Sequence, residues 1–144
     1  MRRVVFDTTV LVSAFLRPGG LADELLTLVA EGQFNLVLSS AIIMETWRTL
    51  ISSDHIRARY PFSDERVHLF CLSLQQIAVD VLRSPPPITG VVRDPEDDMI
   101  VACAVAGQAD SIVSRDKDLL SLGSYQDITM ITPETFRQQL RSAS

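Results

Sequence analysis

Cysteine and histidine are scarce in this chain. Two of each, Cys71 with Cys103 and His55 with His68, are spread over 144 residues without a C-x-x-C pair or a Cys/His cluster, which removes the ligand set that zinc requires. Both cysteines lie inside apolar periodic stretches, VHLFCLSL and IVACAVAG, and read as small buried hydrophobes. Basic charge is also short: 13 lysines and arginines stand against 18 acids, a formal net charge of −5. The chain as a whole lacks the positive field that draws many proteins onto nucleic acid, so any such contact must be local. Long hydrophobic runs are missing. The first apolar run is broken at Asp7, so the N-terminus, despite Arg2 and Arg3, reads as neither signal peptide nor membrane span. A soluble, cytoplasmic protein is the expectation. Repeats, low-complexity tracts and breaks in composition are absent too, which points to a single globular domain over residues 1–144, its core filled from 47 % apolar residues.

What is there alternates. Apolar runs of strand length are separated by longer segments of helical period, the pattern of a parallel sheet with crossover helices. VVF opens a first strand, and FNLVLSS, AVDVL, SIVS and ITMI read as four more. Helical spacing runs through Leu21, Leu25, Leu28 and Val29, through AIIMETWRTLIS behind a cap at Ser39 or Ser40, through SDERVHLFCLSLQQI, and through MIVACAVAGQA after Pro95. Thr132 and Pro133 start a final helix by cap and first-turn chemistry. SSDHIRARYPF reads as a polar, basic turn, and three successive prolines make SPPPITG a loop.

The opening stretch MRRVVFDTTVLVSAF poses the functional question, because an apolar run that reads as a buried strand carries a carboxylate, which is costly to bury alone. Polar residues recur at corresponding places. Asp7 with Thr8 and Thr9, Ser39 with Ser40, and Ser114 with Arg115 and Asp116 all follow strands, and the carboxyl ends of parallel strands form the ligand crevice of open α/β sheets. Glu45 follows the second strand by about a turn and a half, and Asp98 falls in the first turn of the helix before SIVS, so both belong to helices that begin at the same edge. Acids gathered in one place repel each other unless a cation joins them, and an oxygen-only ligand set suits Mg²⁺ or Mn²⁺. Asp94 and Asp97, by contrast, read as capping residues that favour the helix dipole.

The segments VVFDTTVLVSAF, LSSAIIMETWRTL, DPEDDMIVACAVAGQADSIVSRDKDLL and ITPETFRQQL together resemble the PIN domain family of metal-dependent ribonucleases, which includes many toxins of bacterial toxin–antitoxin pairs. The resemblance covers nearly the whole chain. It implies a three-layer α/β/α sandwich around a central parallel sheet of about five strands. Carried over residue by residue, it makes Asp7, Glu45, Asp98 and Asp116 the catalytic acids and ligands of Mg²⁺ or Mn²⁺, with Asp118 as a further ligand. Thr9 stands where the family often has asparagine or another small polar residue, and its hydroxyl would orient a metal-bound water. Arg115 and Lys117, flanking Asp116, either hold the scissile phosphate or balance the acids.

The implied activity is hydrolysis of phosphodiester bonds in single-stranded RNA, with metal-bound water as the attacking group, and the implied partners are a second copy of the chain and an antitoxin protein. Two other readings stay open. One is an inactive module of the same fold that docks a partner. The other is an aspartyl phosphatase or phosphotransferase using Asp7 in a D-x-D motif, weakened by Thr9 at the second acid's position. His55, Arg57, Arg59 and Tyr60 form either a solvated loop or an RNA contact, and Phe15 and Trp47 read as packing or dimer residues.

Overall fold

The structure, a computed structural model, describes residues 1–143. β1 (Arg3–Phe6), β2 (Asn35–Ser39), β3 (Asp80–Leu82), β4 (Ser111–Val113), β5 (Ser124–Tyr125) and β6 (Ile128–Ile131) form one sheet in the order β3-β2-β1-β4-β6-β5. The five expected strands pair in parallel, and β5 adds an antiparallel edge to β6, so the sheet is mixed. That sixth strand comes from a two-residue hairpin at Gln126 and Asp127, both at positive φ (48° and 68°). Asn-Gly or Asp-Gly would have announced such a turn, whereas Gln-Asp does not.

Eight helices connect the strands among the described residues: α1 (Thr8–Leu16), α2 (Leu21–Ala30), α3 (Ser40–Ser52), α4 (Asp54–Arg59), α5 (Asp64–Ile77), α6 (Pro95–Ala106), α7 (Lys117–Leu122) and α8 (Pro133–Ala143). Two of them correct the sequence reading. The opening apolar run is not one strand: β1 stops at Phe6 because the Asp7 side chain accepts from the Val10 N–H and starts α1. The polar stretch after α3 is not only a turn, since the Ser53 hydroxyl caps the short helix α4.

The chain lays down β1, β2 and β3 outward in one direction, then returns to the far side of β1 for β4 and β6. Right-handed crossovers put the connecting helices of the two halves on opposite faces, which gives three layers, helix on sheet on helix. α1 packs on β1 and α3 on β2, while α6 spans β1, β2 and β4. Val4, Val5, Phe6, Leu36, Val37, Leu38, Ile112 and Val113 are all fully buried, consecutive residues pointing to both covered faces. α6 lies close to the sheet at its far end, where a Cβ on Gly107 would meet Val37 Cγ1 at 2.5 Å.

Reversal of direction at β1 and β4 makes their carboxyl ends the topological switch point, where the helices on either face diverge and leave a crevice. Asp7 ends β1, and Ser114 to Asp116 follow β4, so both reach that crevice from adjacent strands.

Candidate metal centre

Asp7 anchors the site from below. It is 2 % exposed, and both of its oxygens are taken up: Oδ1 accepts from Thr9 Oγ1 at 2.6 Å and from the Val10 N–H at 3.2 Å, and Oδ2 accepts from Ser114 Oγ. The two hydroxyls in turn accept from the loop after β4, Thr9 Oγ1 from the Arg115 N–H at 3.1 Å and Ser114 Oγ from the Asp116 N–H at 2.8 Å. Each hydroxyl thus relays one backbone N–H to one carboxylate oxygen, and together they fix Asp116 relative to Asp7. Burial pushes the Asp7 carboxyl above its usual pKa, an effect opposed by these hydrogen bonds and reinforced by the negative charge of Asp116.

Asp116 starts α7, its Oδ1 accepting from the N–H groups of Asp118 at 2.7 Å and Leu119 at 3.4 Å. A loop that turns directly into a helix brings Asp118 to the same side: one carboxylate oxygen each from Asp97, Asp116 and Asp118 lie within 4.8 Å of one another. Asp7, Glu45, Asp94, Glu96, Asp97 and Asp116 line one crevice of about 300 Å³. Glu45 reaches it from α3 while keeping a 3.4 Å contact with Arg48.

The structure corrects the fourth acid. Asp98, expected here from the sequence, is buried at 7 % exposure elsewhere: its Oδ2 accepts from the Gly90 N–H (3.0 Å) and its Oδ1 from those of Val91 (3.2 Å) and Val92 (2.9 Å). It is committed to the loop before α6. Asp97, read from sequence as a capping residue, faces the acids instead. Successive residues of a helix are turned by about 100°, so an error of one position changes the face entirely. Periodicity did not separate the two: Asp97 shares a stripe with Ile100, Val101 and Ala104, and Asp98 an equally apolar one with Val101, Ala102 and Val105. Asp94 does cap α6, accepting from the Glu96 N–H, and Pro95 occupies the first turn as expected.

Other expected residues fall in different places. The Thr9 hydroxyl gives its proton to Asp7 and so is not free to donate to a metal-bound water. Arg115 turns away from the acids, its Nη1 and Nη2 donating to Glu134 on α8 at 3.1 and 2.7 Å and holding that carboxyl below its usual pKa. Lys117 is exposed at the start of α7. Arg57 pairs with Asp64 at 2.6 Å and lies over the Phe62 ring, while His55 and His68 are exposed. Phe15 packs edge-on against Phe62 and Phe70 in the core, whereas Trp47 lines a groove between α3 and α5. Cys71 and Cys103 are free and buried, and burial raises their thiols to about 11 and about 12.

Whether the acids fit a divalent ion is decided by Asp97. Its Oδ2 is buried without a hydrogen-bond partner, an expensive state for a carboxylate oxygen. Its carboxyl is pushed up to about 7, first by burial and then by the charges of Asp116, Asp94, Asp7 and Asp118. An unpartnered oxygen surrounded by like charge is where a cation would bring most relief. Oxygens on opposite sides of one Mg²⁺ are about 4.2 Å apart, twice its 2.1 Å bond length, close to the 4.8 Å limit within which the Asp97, Asp116 and Asp118 oxygens lie. The Asp97, Asp116 and Asp118 carboxylates therefore fit a small, oxygen-preferring divalent cation.

An uncharacterized protein of Methanocaldococcus jannaschii is 28 % identical over 120 residues, covering 83 % of this chain and 74 % of that protein. The family model described as PIN domain matches residues 3–118, from the first residue of β1 through the three clustered aspartates. The fold, the acidic crevice at the switch point and that match together place the chain in the PIN domain family.

Proposed function

We propose that this protein is an endoribonuclease that hydrolyses phosphodiester bonds of single-stranded RNA with Mg²⁺ or Mn²⁺. One observation carries the reading: the buried, unpartnered Asp97 Oδ2 in a crevice of aspartates. When bound, the cation supplies an activated water and a positive charge facing the phosphate. Asp97, Asp116 and Asp118 would hold it. Asp7, rigid under three hydrogen bonds, adds negative charge beneath and fixes the β4–α7 loop through Thr9 and Ser114. Glu45, half-buried in the lining of the same crevice, would accept a proton from water.

Membership of the PIN family and the complete set of acids both favour a nuclease over an inactive docking module. A phosphotransferase that uses Asp7 as nucleophile is disfavoured, because a residue 2 % exposed whose carboxylate already accepts three hydrogen bonds is poorly placed to attack a phosphate. Within the nuclease reading, a toxin that pairs with an antitoxin, works as a homodimer and acts in the cytoplasm is the biological setting we propose. No helix among the described residues is long and apolar enough to cross a membrane.

The direct test uses purified protein and a labelled single-stranded RNA. Cleavage should require Mg²⁺ or Mn²⁺, stop with chelator, and be lost in Asp7→Asn and Asp97→Asn. Undiminished cleavage by Asp97→Asn would refute the assignment. A small adjacent reading frame encoding a DNA-binding protein would support the toxin setting.

A further inference from the structure

Beside the acidic crevice lies a second and larger cleft, of about 750 Å³, roofed by the loop 83–94. Met99 lines both spaces, so they adjoin along the first turn of α6. The walls of the larger cleft include Pro85, Pro87 and Val92, and two arginines, Arg83 and Arg93, stand at its edge. The loop is fixed from beneath by Asp98, whose carboxylate accepts from three consecutive backbone N–H groups. Gly90 makes that curl feasible at φ +72°, a conformation L side chains rarely adopt.

Two of the bases that form no ion pair among the described residues, Arg83 and Arg93, line this one cleft. Arg3, Arg48, Arg57, Arg115 and Arg137 each pair with an acid. Arg83 and Arg93 are exposed and form no ion pair among the described residues, although acids outnumber bases in this chain. The acid between them and the core, Asp98, has its oxygens engaged by N–H groups. Two cations left unneutralised beside an acidic metal pocket, above an apolar wall, match the chemistry of a single-stranded nucleic acid: phosphates for the arginines and an unstacked base face for the prolines and Met99.

Resting on the ribonuclease reading, we infer that the cleft under the 83–94 loop holds the stretch of single-stranded RNA adjoining the scissile phosphate. Arg83 and Arg93 bind its phosphates, and the apolar wall receives a base. The acids cut, and this cleft binds and aligns.

The test is fluorescence anisotropy of a labelled single-stranded RNA oligonucleotide with full-length protein in chelator, so that nothing is cut, followed by steady-state cleavage in Mn²⁺. Wild type is compared with the double variant Arg83→Ala/Arg93→Ala, and with Arg17→Ala as a control that removes one positive charge at an exposed position outside the cleft lining. The double variant should bind about tenfold more weakly or worse, and its log Kd against log salt slope should fall by about 1.4, two single-strand phosphate contacts. Its KM should rise with kcat unchanged, its Mn²⁺ affinity should equal that of wild type, and Arg17→Ala should match wild type throughout. If wild type binds and cuts RNA while the double variant keeps its Kd and slope, the cleft assignment is overturned and the nuclease reading survives. If wild type neither binds nor cuts in Mn²⁺, both fall.

Discussion

Asp97 and Asp98 are neighbours in the chain with carboxylates committed to different tasks: Asp97 turns a bare oxygen into a crevice of aspartates, and Asp98 gathers the N–H groups of Gly90, Val91 and Val92. One helical step of rotation divides metal chemistry from loop architecture, and substitutions at the two positions should separate accordingly.

Asp98→Asn replaces an acceptor-only group with one that presents an NH₂ toward backbone donors. Unfolding by urea should show a loss of about 1–3 kcal/mol, the cost of a part-buried N–H facing a donor in place of its acceptor. Mn²⁺ affinity should stay near wild type, and RNA KM should rise as the loop loosens. Loss of Mn²⁺ binding with stability intact would place Asp98 in the metal site after all.

The pH dependence of the metal-free protein follows from Asp97. Its carboxyl titrates near 7 when folded, raised from an ordinary value of 3.8. The folded chain therefore holds a proton that the unfolded chain releases between those pH values, and stability declines as pH rises through that window, levelling off above it. The decline should be on the order of 1 kcal/mol, because solvent entering the half-open crevice screens the repulsion. Asp97→Asn should remove most of it, and the residual slope reports Asp7, whose carboxyl is raised in the same direction. Chelator-treated protein whose stability rises from pH 5 to 7.5 would contradict this.

Ser114→Ala breaks the relay from the Asp116 N–H to Asp7 at its middle atom. A buried carboxylate oxygen and a part-buried N–H lose their partner, so destabilisation of about 1–3 kcal/mol is expected by thermal or chemical unfolding. RNA cleavage should fall more than Mn²⁺ affinity, because the loop carrying Asp116 is no longer fixed to β1. A variant as stable as wild type would show that the relay is dispensable.

Much of this was legible in the sequence. The β-α alternation, and the polar residues closing each strand, were enough to place Asp7 and Asp116 at one sheet edge, because strand ends are set by chain direction alone. Side-chain azimuth on α6 was harder to read: the helix is apolar on nearly all sides, so periodicity ranked Asp97 and Asp98 almost equally. The partner of Arg115 was out of reach for a related reason, since Glu134 lies 19 residues further on and only the tertiary fold brings them together. The hairpin carrying β5 left no trace because its turn uses two non-glycine residues at positive φ.

That pairing yields its own expectation. Arg115→Ala removes a largely exposed ion pair and should cost no more than about 1 kcal/mol, with cleavage rates close to wild type. A loss of kcat of about a hundredfold or more, the scale of a removed transition-state contact, would return the guanidinium to the scissile phosphate.

The central claim is that a divalent cation joins the clustered aspartates, and calorimetric titration of Mn²⁺ into chelator-treated protein at pH 8 tests it most directly. Wild type should bind saturably and gain unfolding free energy with rising Mn²⁺, about 2.7 kcal/mol at a hundred times Kd. Asp97→Asn should show neither the heat nor the gain, while being at least as stable as wild type before metal is added. Equal Mn²⁺ binding by wild type and Asp97→Asn, or none by wild type, would contradict the account.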